Sequence, residues 1–226
     1  MGNVAYVGAP LSSVPPGVIV VPVLRIVYRD ISHLRKIRIP LALTSKRAVI
    51  SMKMSGISIA TSRIYCIGEE TSRYLRKLYS LECIVPETQD SNGLAEIISG
   101  RESEVTIIGS NMVSRTLLSA LQSRGINVDV VTGYEIKENP DARYEDLLDV
   151  EKILVGSSYS FEILFTRARN LIVGKRIYAI GRPTYETISK MSFSPAGYFE
   201  RPSINEILLA LLSDEEGKIL ARPENK

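Results

Sequence analysis

A stretch of 12 residues occurs twice in the chain, and it constrains the fold more than any other feature. The first copy is Ile64–Leu75 (IYCIGEETSRYL) and the second is Ile177–Ile188 (IYAIGRPTYETI). Each copy runs from a short apolar segment through a glycine into polar residues, and glycine lets the backbone turn sharply where a Cβ would clash. The pattern therefore predicts a buried strand, a tight turn and a helix in each half of the chain.

The helix starts predicted in the two copies are suited to an anion. Thr71 and Thr184 lie where an N-cap or first-turn hydroxyl would serve the unpaired N–H groups of a helix. Pro183 fits the first turn, where its missing N–H is not needed. Because unpaired N–H groups and the positive end of the helix dipole coincide there, each copy predicts a binding turn for a carboxylate or phosphate.

The repeat extends to the flanking segments. Leu41–Val49 precedes the first copy and Ile153–Phe161 precedes the second, and both are apolar runs that break into serine or threonine. Downstream, Pro86–Ile98 and Pro202–Leu212 each start with a proline and continue into a predicted helix. Strand-and-helix units at this spacing are typical of parallel α/β architecture. Two sets of units indicate two similar domains.

Two alternating segments predict how these domains are connected. Val23–Asp30 and Thr132–Lys137 alternate apolar and polar residues, as half-exposed strands do. They bracket the first set of units, so we expect the chain to leave one domain and return beside its exit through a two-stranded antiparallel linker. The expected boundaries are 1–22 with 140–226 for a discontinuous domain, 30–131 for an inserted domain, and 23–29 with 132–139 for the linker strands.

Composition excludes several classes of protein. The chain has 226 residues, 45% of them hydrophobic, which suffices for two small α/β domains. A net charge of +3 does not require nucleic acid as a partner and is compatible with an acidic small molecule. We find no apolar run long enough to cross a membrane and no charged-then-apolar leader. We therefore expect a cytoplasmic protein that binds neither nucleic acid nor membrane.

The sequence also predicts that no metal or nucleotide cofactor is present. Cys66 and Cys83 lack the spacing of metal ligands and fall in predicted strands, so we expect both to be reduced, packed thiols. With a single histidine and two separated cysteines, a transition-metal site is not expected. Neither GxGxxG nor GxxxxGK[ST] occurs in the chain.

Taken in order, several segments resemble the uroporphyrinogen-III synthase family. The resemblance rests on the order of the segments along most of the chain. They are LTSKRAV (Leu43–Val49), YCIGEETSRYL (Tyr65–Leu75), GYE (Gly133–Glu135), the strand end at Ser157, AIGRPTYETI (Ala179–Ile188) and the proline-led helix after Glu200.

The resemblance implies two flavodoxin-like domains and a cofactor-free lyase of tetrapyrrole synthesis that acts as a monomer. Members of this family take linear hydroxymethylbilane, remove water, invert the terminal ring and close the macrocycle as uroporphyrinogen III, the precursor of haem, sirohaem and cobalamin. The substrate carries acetate and propionate groups on every ring. This polyacid fits the prediction of several helix N-termini from two domains facing one cleft.

The same resemblance implies roles for particular residues. Tyr134 stands where relatives have a tyrosine that assists loss of the hydroxyl, and a phenol with a pKa near about 10 can donate a proton at neutral pH. The implied substrate-binding residues are Thr44, Ser45, Arg47, Gly68, Thr71, Ser72, Asn111, Ser157, Ser158, Gly181 and Thr184.

Other interpretations remain open from the sequence. Two α/β lobes joined by two strands also describe a small-molecule binding or sensor protein that closes on its ligand without catalysis. Tyr134 could be a packing residue and Arg47 a solvated helix residue, while Thr71 and Thr184 could act as helix caps alone. Ser45 and Ser157 have no His-Asp partner nearby in sequence, so we do not expect either to be a nucleophile.

Overall fold

The computed structural model describes residues 3–11, 13–200 and 203–221. The chain divides into two compact units. Unit 1 comprises Met1–Arg25 and Lys137–Lys226, and unit 2 comprises Ile26–Ile136. Pro202, which was expected to lead the final helix, lies outside the described residues.

Parallel strands alternate with helices through both units. The described strands are β1 (Val4–Val7), β2 (Val18–Val21), β3 (Leu24–Tyr28), β4 (Lys36–Ile37), β5 (Leu41–Leu43), β6 (Ser58–Ile59), β7 (Ile64–Cys66), β8 (Glu104–Ser110), β9 (Asn127–Glu138), β10 (Lys152–Val155), β11 (Arg176–Ile180) and β12 (Gly197–Phe199). The described α-helices are α1 (Lys46–Met54), α2 (Glu69–Tyr79), α3 (Ser91–Ser99), α4 (Arg115–Gln122), α5 (Ser158–Ile172), α6 (Arg182–Lys190) and α7 (Ile204–Leu212). Short 3-10 helices lie at Ser32–Leu34, Tyr144–Leu147 and Glu216–Lys218.

The sheet of unit 1 is parallel throughout its described strands. Its order is β12-β11-β10-β1-β2, with β10 and β1 at the centre. Every residue of β1 (VAYV) and of β10 (KILV) is buried. Strands covered on both faces have near-continuous apolar sequences, which is why these segments do not alternate.

The main sheet of unit 2 has the order β3-β9-β8-β5-β7. The strands β7, β5, β8 and β9 are parallel neighbours. Helices α1 and α2 pack on one face, which we call the α1 face, through residues such as Val49 and Leu75. Helices α3 and α4 pack on the other face, the α3 face, through residues such as Leu94 and Leu117. The predicted α/β class with parallel sheets is confirmed.

The internal repeat is also visible at the amino ends of two strands. In unit 2 the Tyr65 hydroxyl donates to Glu102 Oε1 (2.6 Å), and Arg63 contacts the other carboxylate oxygen (2.8 Å). In unit 1 the Tyr178 hydroxyl donates to Glu216 Oε1 (2.8 Å), and Arg176 lies near that carboxylate. Burial and the bonded carboxylate raise the pKa of each tyrosine to about 12. Each arrangement ties the segment after a helix, α3 or α7, to the sheet.

Unit 1 adds a buried cation to this arrangement. The Lys152 side chain is 2% exposed, and its Nζ donates to the Leu211 carbonyl (2.7 Å), Asp214 (2.6 Å) and Glu216 (3.1 Å). A buried ammonium needs such partners because its desolvation is otherwise unfavourable. The contacts fix the segment that follows α7 against β10.

The prediction of two reduced thiols is wrong. Cys66 and Cys83 form a disulfide, with their Cα atoms 6.0 Å apart. The segment after α2 returns alongside β7, where Cys66 N–H donates to the Ile84 carbonyl (2.9 Å) and Ile84 N–H donates to the Ile64 carbonyl (2.8 Å). A whole helix separates the two cysteines in sequence, so their spacing gave no sign that they are neighbours. The disulfide closes a loop around α2.

Removing this disulfide is expected to destabilise unit 2. For a loop with a sequence separation of 17 residues, loss of the cross-link lowers the free energy of unfolding by about 3 kcal/mol because the unfolded chain gains freedom. Urea unfolding of the Cys66→Ser/Cys83→Ser variant, compared with the oxidised parent, measures this difference. Thiol titration of the unfolded, unreduced parent is the control, and reactive thiols from both cysteines would contradict the disulfide.

The carboxylate of Glu216 should make unit 1 sensitive to acid. Its pKa is lowered: burial opposes the shift, but the hydrogen bonds from its own backbone, Tyr178 and Lys152 outweigh it. The resulting stability is present above the ordinary glutamate pKa of about 4.3 and is lost as pH falls through the lower folded value. We expect Glu216→Gln to lower the free energy of unfolding by roughly 3 kcal/mol at pH 7.

Urea unfolding of both proteins between pH 7 and pH 3 measures this linkage. At the acidic end of this range, the free energy of unfolding of the parent should approach that of Glu216→Gln. A difference in the free energy of unfolding that stays constant over this range would contradict the lowered pKa of Glu216.

Candidate active site

Two helices of unit 2 begin where parallel strands end. Ser45 directly precedes α1, and its Oγ accepts the Ala48 amide hydrogen (3.3 Å), as an N-cap does. Thr44, between β5 and this cap, donates from Oγ1 to the Ile108 carbonyl (3.4 Å). Gly68 is the N-cap of α2 after β7. The carboxyl edge of the sheet thus gathers the first-turn amides of two helices.

Of the two positions predicted for Thr71 and Thr184, the structure shows the first turn of the helix and not the N-cap. Helices α2 and α6 each start two residues before the threonine, with Gly68 and Gly181 as N-caps and no side-chain hydrogen bond at the cap. The chain enters each helix directly at the glycine, so each threonine lies in the first turn and its side chain turns inward. Thr71 is 3% exposed and Thr184 is 4% exposed. Ser72, also predicted to bind substrate, is buried beside Thr71.

The first turn of α2 already has partners of its own. Glu69 and Glu70 occupy it, and the Glu69 amide donates to the Gln89 side chain (3.0 Å). Acidic side chains in the first turn interact favourably with the helix dipole, but they repel a bound carboxylate. The α2 turn is therefore less suited to an anion than its sequence suggested.

Tyr134 lies within β9 and contacts the cap of α1. Its hydroxyl is 2.8 Å from Ser45 Oγ, and either oxygen can donate this hydrogen bond. Only 4% of the Tyr134 residue is exposed, whereas Ser45 is partly exposed. The two hydroxyls form a pair in which the serine is the more accessible group.

A β-bulge determines the face of the sheet to which Tyr134 points. Gly109 pairs with Thr132, but Ser110 pairs with Tyr134, so Gly133 is an extra residue in β9. Before the bulge Val131 packs on the α1 face, and strict alternation would send Tyr134 to the α3 face. After the bulge Tyr134 packs on the α1 face, and so does Ile136. One inserted residue exchanges the two faces of a strand, and here it brings the phenol to Ser45.

Asn111 supports the strand that carries Tyr134. Its Oδ1 accepts the Ile136 amide hydrogen (2.8 Å), and its Nδ2 donates to the Ile136 carbonyl (3.4 Å). Its own amide donates to the Tyr134 carbonyl (3.1 Å). The side chain proposed as a substrate contact is thus engaged with the backbone of β9.

Arg47 and Lys46 differ in their surroundings, although they are adjacent on α1. Lys46 pairs with Glu70 (2.8 Å) and lies over the Tyr74 ring. Within the described residues we find no carboxylate paired with Arg47, and its charge acts on the Tyr28 phenol. Burial raises the pKa of Tyr28, and the Arg47 charge opposes that rise. Arg47 is therefore a cation at this edge whose charge remains available to an anion.

Sequence reasoning missed two residues of this edge. The Tyr28 ring lies 6.4 Å from the Tyr134 ring, centroid to centroid, and Ser51 is a buried serine on α1. The predicted linker paired the segment that contains Tyr28 with the segment that contains Tyr134, but it gave Tyr28 no role at the site. The serine gave no signal, because it falls within an ordinary helical pattern.

Unit 1 has a related edge at the ends of β10 and β11. Ser157 caps α5 by accepting the Ser160 amide hydrogen (3.2 Å), which matches Ser45 in unit 2. Ser158 donates to the Pro183 carbonyl (3.3 Å), so it contacts the first turn of α6. Gly181 has a φ of 77°, a left-handed conformation that favours glycine. Arg182, rather than an acid, begins α6.

The part of the chain that the structure describes contains no helix with the length and apolarity needed to cross a membrane. In the same residues, no group of three or more His, Cys, Asp or Glu side chains is arranged to hold a metal ion.

Two solved structures resemble the chain over nearly their whole length. One is a mutant uroporphyrinogen III synthase from the extreme thermophile Thermus thermophilus, with 17% identity and a TM-score of 0.65, covering 96% of this chain and 100% of that one. The other is uroporphyrinogen-III synthetase from Helicobacter pylori 26695, with 16% identity and a TM-score of 0.69, covering 94% and 99%. These similarities establish the fold. No curated protein matches the chain.

A family model described as uroporphyrinogen-III synthase HemD matches residues 17–208, which is most of the chain. This match agrees with the order of the strand ends, glycine turns and tyrosine found above. The chain belongs to the uroporphyrinogen-III synthase family.

Proposed function

We propose that this chain converts hydroxymethylbilane into uroporphyrinogen III and that the Tyr134–Ser45 pair supplies the proton for loss of water. The family is one of cofactor-independent cyclising lyases, so protein groups must assist departure of the hydroxyl. The observation that carries the proposal is the 2.8 Å contact between the Tyr134 hydroxyl and Ser45 Oγ at the carboxyl edge of unit 2.

The pair can deliver a proton although the phenol is nearly buried. Ser45 Oγ accepts the Ala48 amide hydrogen and can also accept the Tyr134 proton, which leaves its own hydrogen free to point outward. Ser45 then donates to the leaving oxygen, and Tyr134 replaces that proton. The C–O bond breaks with its electrons on oxygen, and the electron-rich pyrrole stabilises the cation left behind. The proton released when the ring closes restores the phenol.

Binding requires partners for the carboxylates of the substrate, and we propose candidates in each unit by itself. In unit 2, Arg47 supports this role because no described carboxylate pairs with it. In unit 1, the first turn of α6 offers backbone amides, while the Arg182 guanidinium beside them already pairs with Glu186 (2.9 Å). Each charged contact at a helix N-terminus contributes roughly 0.3–1 kcal/mol, so several are needed. The proposed binding residues are Thr44, Ser45, Arg47, Gly68, Thr71, Ser72, Asn111, Ser157, Ser158, Gly181 and Thr184.

We also propose a flavodoxin-like character for both units and an antiparallel linker at residues 23–29 and 132–139, with domains at 1–22 plus 140–226 and at 30–131. The position of β3 beside β9 supports the linker. So do hydrogen bonds from Arg29 N–H to the Gly133 carbonyl (2.9 Å) and from Asn139 N–H to the Val23 carbonyl (2.8 Å). As one residue number rises the other falls, as in antiparallel pairing.

We further propose that the protein acts as a monomer in the cytoplasm without nucleic acid. The small net charge of +3 supports the proposal that nucleic acid is not a partner. A disulfide is unusual in that compartment, but intracellular proteins of hyperthermophilic organisms also contain them.

Replacing the phenol tests the proposed acid. Tyr134→Phe should lower kcat for formation of uroporphyrinogen III by about a hundredfold, because general acid catalysis by a placed side chain contributes at least that much. Steady-state kinetics with freshly prepared hydroxymethylbilane measures the effect. Tyr79→Phe is the matched control, since the buried Tyr79 hydroxyl has no hydrogen-bond partner in the described part of unit 2. A Tyr134→Phe enzyme as fast as the parent would remove Tyr134 from the mechanism.

Substitution of the available arginine tests substrate binding. Arg47→Gln should raise KM about tenfold with a smaller change in kcat, because hydrogen bonds to charged groups contribute roughly 1.5–3 kcal/mol. The neighbouring Lys46→Gln is the control, because the Lys46 charge is already paired with Glu70. Equal effects of the two substitutions on KM would indicate general charge attraction and would contradict a specific contact by Arg47.

A further inference from the structure

The bulge residue Gly133 is held from two directions. Its carbonyl oxygen accepts hydrogen bonds from the Ser51 hydroxyl (2.6 Å) and from the Arg29 amide (2.9 Å). A Cβ at position 133 would lie 2.8 Å from Ser51 Oγ and 3.0 Å from Ile108 Cγ2. Helix α1 therefore approaches β9 at the bulge so closely that only glycine fits without displacement of its neighbours.

Ser51 is an unexpected residue for its position in α1. It lies in the interior of the helix and is 0% exposed. Alanine has a higher helix propensity than serine in a helix interior. A buried hydroxyl without a hydrogen-bond partner is also unfavourable. Its hydrogen bond to the Gly133 carbonyl compensates for the burial. The hydroxyl thus serves the bulge rather than the helix.

The bulge matters because it decides where the next side chain points. With Gly133 inserted, Tyr134 packs on the α1 face and contacts Ser45. Beyond Tyr134, Asn111 holds Ile136 through two hydrogen bonds. Ser51 and Asn111 thus fix the backbone on both sides of the phenol, although neither side chain touches its hydroxyl.

We propose that Ser51 is a positioning residue of the reaction: by holding the Gly133 carbonyl it keeps the bulge in β9 and the Tyr134 hydroxyl within reach of Ser45. This inference rests on the proposed role of Tyr134. Ser51 acts through Tyr134 alone, so its contribution should exist only where the phenol is present.

A double-mutant cycle separates this role from a general loss of stability. Ser51→Ala should lower kcat about ten- to a hundredfold, because a catalytic group displaced by about 1 Å loses much of its effect. KM should stay within about twofold, because the groups proposed to bind carboxylates are unchanged. In a Tyr134→Phe background the same substitution should change kcat by less than about twofold. All kinetics are measured below the unfolding transition of every variant.

Ser55→Ala is the matched control. Ser55 is the C-cap of α1, and its hydroxyl also donates to a backbone carbonyl, that of Arg29 (3.4 Å), without contacting Gly133 itself. It should leave kcat unchanged. If Ser51→Ala does not fold, Ser51→Cys replaces it, because a thiol is a much weaker hydrogen-bond donor to the Gly133 carbonyl than a hydroxyl. The replacement should then also lower kcat in the parent and change it little in the Tyr134→Phe background.

Several results would overturn the inference. Ser51→Ala with the kcat of the parent would do so, and so would an equal loss of kcat in the parent and Tyr134→Phe backgrounds. If Ser51→Cys is used in its place, the same two results count against the inference. These results leave the proposed acid intact whenever Tyr134→Phe alone is slow. A Tyr134→Phe enzyme as fast as the parent would instead refute the proposed acid, and the inference with it.

Discussion

The feature on which the site depends is the direct passage from a parallel strand into a helix. Parallel strands end at one edge of a sheet, so the unpaired first-turn amides of the following helices collect at that edge. Ser45 and Gly68 occupy these positions in unit 2, and Ser157 and Gly181 occupy them in unit 1. The same backbone arrangement can bind anionic groups and can hold a hydroxyl pair, so the proposed binding and the proposed proton transfer share one structural origin.

The two halves of the repeat share a scaffold but differ in charge. At the amino ends of the strands, Tyr65 and Tyr178 make equivalent hydrogen bonds to buried carboxylates. At the carboxyl ends the first turn of α2 carries Glu69 and Glu70, whereas that of α6 begins with Arg182. The bonds that stabilise the fold are thus kept in both copies. The groups that would meet an anionic substrate have diverged, which suggests different tasks for the two edges.

Periodicity and turn residues predicted the parallel α/β class, because these signals are local in sequence. They could not locate the disulfide, since Cys83 meets Cys66 only after the chain has passed around α2. The sequence predicted a linker strand that starts at Thr132, whereas β9 runs from Asn127 to Glu138 and contains an extra residue, Gly133, that the alternation did not reveal. Ser51 gave no signal, because its partner is a distant backbone carbonyl. Long-range backbone contacts therefore account for most of what the sequence left undetermined.

In the proposed reaction, this chain controls the shape of a linear polyacid while the Tyr134–Ser45 pair assists loss of its hydroxyl. The most direct measurement is the isomer formed when the purified chain, without added cofactor, acts on freshly prepared hydroxymethylbilane. Spontaneous closure gives the uninverted type I product. We expect uroporphyrinogen III as the dominant product, at a rate above that of spontaneous closure. Formation of the type I isomer alone, at the rate seen without protein, would contradict it.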